Sequence, residues 1–168
     1  MGKGQGCHHH PYPSHASNWD HSHDLSFFPT AELISFSDHS EDLIQQIRFR
    51  ESHNIPLDVK PYTVTRRVAH QEAFTIAGLS LQVLHVPGHS QDSIAFHFPS
   101  ESICISGDVV MFHSVGRVDL PGGDGAQLKN SIGNVLLQLP DETTLYPGHG
   151  PSSTVAQEKA QNQYQRVL

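Results

Sequence analysis

From Glu72 onward the apolar residues fall into short runs separated by Gly, Pro or Ser. "EAFTIAG", "LSLQVLHV", "SIAFHF" and "SICISGD" are rich in β-branched or aromatic residues, and each is bounded by turn formers, as strands are. In "LSLQVLHV" the positions Leu79, Leu81 and Val83 alternate with their neighbours, the period of a half-buried strand. The period then changes. In "GAQLKNSIGNVLLQL" Leu128, Ile132, Val135, Leu136 and Leu139 recur at helical spacing and predict one helix. "TTLYPGHG" reads as a short strand running into a Gly-rich loop. "STVAQEKAQNQYQRVL" reads as a closing helix capped by Ser153 or Thr154.

Before Glu72 the pattern is weaker. "AELISF", Ala31 to Phe36, reads as a strand. "DHSEDLIQQIRF" follows as a helix, with Asp38 as N-cap, Glu41 three residues on, and Leu43, Ile44 and Ile47 as its buried stripe. "HNIPLDVKPYTVTRRVAHQ" carries two prolines and reads as a loop with short extended pieces. Residues 1–14 are rich in Gly, Pro and His without apolar periodicity, and are expected to be loop-like or unstructured. The organisation expected is a mixed α/β domain over residues 15–168, with no repeat and no interdomain linker.

The chain has 168 residues, enough for a single domain with a core. Its net charge of −7 and its scattered Lys and Arg residues argue against a nucleic-acid surface. No apolar stretch is long enough to span a bilayer. "MGKGQGCHHHPYPS" lacks the apolar region of a secretory signal and the Ser or Thr of a myristoylation signal. A soluble, cytoplasmic protein is expected. There are only two cysteines, so no disulfide framework is expected, and Cys104 reads as a small buried hydrophobe. Histidine is the outlier, with 14 residues, and suggests metal binding. His39, His53, His70 and His97 stand alone and are expected to have no chemical role.

Three loops in the second half share one design: a β-rich run, a Gly, then a metal-ligand side chain. "VLHVPGHS" delivers His89, "ICISGDVV" delivers Asp108, and "TLYPGHGP" delivers His149. Glycine permits the sharp turn beside a ligand, and loops at strand ends are where a scaffold places catalytic groups. Two imidazoles and a carboxylate suit zinc, iron or manganese. A Pro-Gly-His turn is more often only a turn, but three such loops together are hard to obtain by chance. His85 and His113 lie near the motifs without occupying a ligand position.

These loops, in this order, resemble the metallo-β-lactamase superfamily. "GDVVMFHSVGRVDLPGGD", Gly107 to Asp124, is similar to the short bacterial hydroxyacylglutathione hydrolases of glyoxalase II type. The Gly-Arg-x-Asp element, Gly116 to Asp119, is shared with persulfide dioxygenases. The resemblance runs from about Ile76 to Asn162. It implies an αβ/βα sandwich, and a first motif of the form His-x-His-x-Asp-His. Asp20-His21 matches the end of that motif, and Phe28-Pro29 supports the register. Its leading histidines would fall at Ala16 and Asn18. His15 is one residue early, so it reaches the site only if the loop bulges. Asn18 offers only an amide oxygen. "HHH", His8 to His10, is the alternative source of nitrogen.

The resemblance thus implies one metal site from Asp20, His21, Asp108 and His149. A second, weakened one would use His89, Asp108 and His15. One or two zinc ions are expected, with iron or manganese as alternatives. Asp20 and Asp108 would serve catalysis, with a metal-bound hydroxide attacking a small-molecule thioester or ester such as an acylglutathione. Arg117 is expected to pair with Asp119 and brace the loops. Two alternatives stand beside the hydrolase: a non-catalytic metal- or partner-binding remnant, and a mononuclear iron enzyme acting on persulfides. Relatives carry strands ahead of the first motif, so the N-terminal sheet is expected to be incomplete, leaving an apolar surface that a second copy of the chain could cover.

Overall fold

Six strands hydrogen-bond into one sheet that organises the molecule. The computed structural model describes residues 32–37, 48–49, 51–53 and 64–164. In chain order the strands are β1 (Ile34–Ser35), β2 (Arg66–Arg67), β3 (Ala73–Ile76), β4 (Leu79–His85), β5 (Ile94–Phe98), β6 (Ile103–Gly107), β7 (Val110–Met111), β8 (Ser114–Val115), β9 (Thr144–Pro147) and β10 (Ser153–Thr154). Helix α1 (Gly125–Asn134) lies between β8 and β9, and α2 (Val155–Gln161) follows β10. The main sheet has the order β10-β9-β6-β5-β4-β3, and β1-β2 and β7-β8 form two-stranded pieces. All neighbours in the main sheet are antiparallel except β6 and β9.

Side-chain alternation gives the sheet two apolar faces, and each has its own core. On one face Leu84, Ala95, Cys104 and Leu145 pack with Leu128, Ile132, Leu136, Leu137 and Val155 from the helical side. On the other, Leu81, Val83 and Phe98 pack with Val68 and, from β1, Ile34. This corrects the expectation for β4. The strand is not half-buried, because Val83 and Leu84 point to opposite faces and both are buried. Helices cover one side and the β1-β2 layer the other, so alternation in the sequence marks two cores rather than a core and a solvent face. The second face is not covered throughout. Ile105 and Tyr146, register partners on β6 and β9, are 46% and 47% exposed.

The predicted strands at "EAFTIAG", "LSLQVLHV", "SIAFHF", "SICISGD" and "TTLYPGHG" are all present as strands. The predicted strand Ala31 to Phe36 is observed only as Ile34–Ser35, pairing in parallel with Arg66–Arg67. The helix predicted from Asp38 is helical at Arg48–Phe49 and at residues 51–52, and its N-cap lies outside the described residues. The predicted helix "GAQLKNSIGNVLLQL" is two pieces. The α-helix ends at Asn134, Val135 leaves the helical region with φ −122°, and a 3-10 turn follows over Leu136–Gln138. The break lets Leu136 and Leu137, adjacent in sequence, both reach the core. The closing helix starts at Val155, with Thr154 as N-cap in a capping box with Gln157, and ends at Gln161 rather than continuing to Leu168. Residues 165–168 lie outside the described residues. The hairpin β7-β8, inside the Gly107 to Asp124 stretch, had no periodicity long enough to predict it. Among the described residues, no helix is long and apolar enough to cross a membrane.

Candidate metal centre

The parallel pairing of β6 and β9 brings two of the three loops together. Parallel strands end at the same edge, so Asp108 follows β6 directly beside His149, which follows β9. The Gly148 N–H donates to the Gly107 carbonyl at 3.1 Å and ties the two turns. Asp108 Oδ1 accepts a 2.8 Å hydrogen bond from His149 Nδ1. Little room separates the loops. A Cβ on Gly148 would stand 2.5 Å from Asp108 Oδ1, so the carboxylate occupies the space a side chain would take.

The third loop arrives from β4. His89 Nε2 lies 3.9 Å from the other carboxylate oxygen, Asp108 Oδ2. Its Nδ1 lies 2.9 Å from the main-chain carbonyl of Arg117. A carbonyl oxygen can only accept, so Nδ1 carries a proton, and Nε2 is the nitrogen of the neutral ring left for a metal. Gly116 makes this possible. A Cβ there would overlap the Asp108 carbonyl and stand 2.9 Å from His89 Nδ1. The expected Arg117–Asp119 pair forms in bidentate geometry, with Nε and Nη2 each donating at 2.6 Å to one carboxylate oxygen. This contact raises the pKa of Arg117 further above its already high value.

The loop that carries His89 is held on several sides. The Gln91 side-chain amide donates to the Gly122 carbonyl at 2.8 Å, and the Asp124 N–H donates to the Gly88 carbonyl at 2.8 Å. Asp124 also caps α1, where its carboxylate accepts from the Gln127 N–H. That hydrogen bond comes first among the causes that hold the Asp124 pKa below the usual carboxylate value. His85, which the sequence set aside as a ligand, donates from Nε2 to the Gln91 carbonyl at 2.8 Å and stacks on Phe36. Its part is to brace the loop. His113 sits at the tip of the β7-β8 hairpin, against Glu158.

The donor set fits a metal ion. His89 Nε2 and Asp108 Oδ2 are too far apart for a hydrogen bond, yet within twice the roughly 2 Å donor–metal distance of zinc. Fixing an imidazole through its second nitrogen is how protein metal sites orient their histidines. Among the described residues no three His, Cys, Asp or Glu side chains converge as a ready metal cluster. His149 turns its Nδ1 to Asp108, and the remaining expected ligands, His15, Asp20 and His21, lie outside the described residues, as do Asn18 and His8 to His10. The Arg117 carbonyl and Gln91 could not be singled out from the sequence. One acts through its main chain, and the other is one amide among many.

This sheet, with a carboxylate and two histidines at the ends of its strands, defines a class. The chain belongs to the metallo-beta-lactamase superfamily, whose family model matches residues 18–149. The superfamily consists largely of hydrolytic metalloenzymes. The chain is similar to hydroxyacylglutathione hydrolase GloC of Haemophilus influenzae, at 36% identity over 93 residues, covering 55% of this chain and 44% of that protein. Among solved structures it is similar to BLEG-1 B3 metallo-beta-lactamase, with TM-score 0.75 and 27% identity over 86% of this chain and 69% of the other. It is also similar to TTHA1623 in a di-iron-bound form, with TM-score 0.70 and 30% identity over 87% and 71% of the two chains. The chain spans about half the length of the curated relatives it matches.

Proposed function

We propose that this chain is a metal-dependent hydrolase acting on a small-molecule thioester or ester, with an acylglutathione as the first substrate class. The observation that carries the reading is the His89 imidazole. Its Nδ1–H is committed to the Arg117 carbonyl, and its Nε2 lies 3.9 Å from Asp108 Oδ2. The similarity to a hydroxyacylglutathione hydrolase supports the substrate class. A divalent cation held there would supply Lewis acidity, polarising a carbonyl and lowering the pKa of water to about 7. His89 and Asp108 would hold it, with His149 on turning and with Asp20, His21 and His15 of the first motif. Zinc is the first choice and iron the second, in keeping with the di-iron form of TTHA1623.

The chain's own groups then divide the work. Asp108 is only 14% exposed, and its carboxylate would orient the attacking water beside the cation. Before a cation is held, His149 donates to Oδ1 and keeps the carboxylate turned. The Arg117–Asp119 pair stiffens the turn whose carbonyl orients His89. The functional domain is taken as residues 15–168, with a second copy of the chain as the partner for the exposed sheet face around Ile105 and Tyr146.

The experiment is hydrolysis of S-lactoylglutathione by the full chain loaded with zinc or with iron. Turnover abolished by a chelator and restored by the metal supports the reading. Stoichiometric metal without turnover of any thioester or ester would leave a metal-binding protein and overturn the hydrolase.

A further inference from the structure

Helix α2 buries two side chains, and one of them is a carboxylate. Val155 docks the helix on the core in the ordinary way. Glu158, one turn on, is 0% exposed. Burying a carboxylate is expensive unless its oxygens are satisfied, and a well-packed apolar side chain usually docks a helix better. The Glu158 oxygens are satisfied by two donors, the His113 N–H and the Asn162 amide. The His113 main-chain N–H donates to both, at 3.2 and 3.1 Å. Asn162 donates to Oε2 at 2.7 Å, and the same amide group donates to the Ser114 carbonyl at 2.9 Å. All of these contacts close on the tip of the β7-β8 hairpin. That tip is strained, because His113 is a non-glycine residue at φ +55°. Such a conformation persists only where the surroundings hold it.

The hairpin has the candidate metal centre at both of its feet. Asp108 lies two residues before β7 begins. Gly116 and Arg117 follow β8 directly, and the Arg117 carbonyl accepts the His89 proton. The distance from Asp108 to that carbonyl is therefore set by the shape of the hairpin. The shape of the hairpin is set by the clamp at its tip.

We propose that Glu158, with Asn162, is a positioning residue for the metal centre: it fixes the β7-β8 hairpin so that the Arg117 carbonyl holds the His89 tautomer and keeps Nε2 on Asp108. The metal part of this proposal rests on the hydrolase reading; the tautomer part does not. The test compares Glu158→Gln and Asn162→Ala with Val155→Ala, a control on the same helix with no part in the clamp. Asn162 is only half-buried and its substitution leaves the apolar core untouched, so that variant is expected to fold. Two quantities are read on the full chain: zinc affinity by competition with a chromophoric chelator, and the His89 tautomer by nitrogen NMR of the metal-free protein.

The wild type is expected to hold His89 as the Nδ1–H tautomer. Glu158→Gln and Asn162→Ala are expected to mix the tautomers and weaken zinc binding by roughly tenfold or more. Val155→Ala is expected to lower the melting temperature while changing neither quantity. Clamp variants with wild-type tautomer and affinity, or a control that shifts both equally, overturn the proposal. If the wild type binds no metal, the hydrolase reading fails. The tautomer comparison then decides the positioning role by itself.

Discussion

Asp108 and His149, 41 residues apart in sequence, are joined by a 2.8 Å hydrogen bond between Oδ1 and Nδ1. The parallel step from β6 to β9 creates this contact, and it leaves Oδ2 turned to His89. Asp108 thus links the other two loops through its two carboxylate oxygens. Asp108→Asn retains the shape but loses the charge and the second acceptor. It is expected to bind less metal, read by elemental mass spectrometry, and to lose about 10²–10⁴-fold in thioester hydrolysis. Full activity in this variant would remove Asp108 from the proposed chemistry.

Gly116 stands where no side chain fits. A Cβ would meet the Asp108 carbonyl and crowd His89 Nδ1. Gly116→Ala is expected to cost about 1–3 kcal/mol by overpacking, read from urea denaturation, and to reduce metal content in the same protein. Wild-type metal content with unchanged stability would mean that the turn relaxes freely.

Leu128 couples the core to the site. It is fully buried in the helix-side core, and its backbone lies directly against Gly88, the residue before His89. Leu128→Ala is expected to destabilise the fold by about 2–5 kcal/mol, measured by thermal or chemical unfolding. A loss below about 1 kcal/mol would mean the cavity collapses and the loop moves with it.

The pH dependence centres on His97. It is buried on β5, opposite Gln82 and Cys104 on its two neighbours, and burial alone pushes its pKa below 6.5. Burial favours the neutral ring, so the unfolded chain binds this proton more readily than the fold does. The contribution is therefore present above pH 6.5 and is lost progressively as pH falls from there to the lower folded pKa. A His97→Phe variant should show a shallower fall in stability over that window than the wild type, measured by urea midpoints at several pH values. Identical slopes would show that other groups carry the acid sensitivity. Cys104, whose thiol burial pushes up to about 12, should stay unreactive to thiol reagents until the protein unfolds.

The sequence by itself determined the local elements and the placing of the three loops. Five of the strands, the starts of α1 and α2, and the three loops bearing His89, Asp108 and His149 were legible, because period and turn residues act within a few positions. His53 bonds to the Phe49 carbonyl within its own turn, while His70 Nδ1 accepts from the His85 N–H, 15 residues away. Cys104 is buried as expected. What tertiary structure decided is everything that depends on strand order. Alternation in "LSLQVLHV" could not reveal that both faces of β4 are covered, since cover comes from segments far along the chain. The break at Val135 is invisible to helical spacing, because two adjacent leucines must both reach one core. The Arg117 carbonyl and the Glu158 clamp have no sequence signature at all. One is a main-chain atom whose partner is 28 residues away, and the other is a carboxylate that would read as surface until α2 docks on the hairpin.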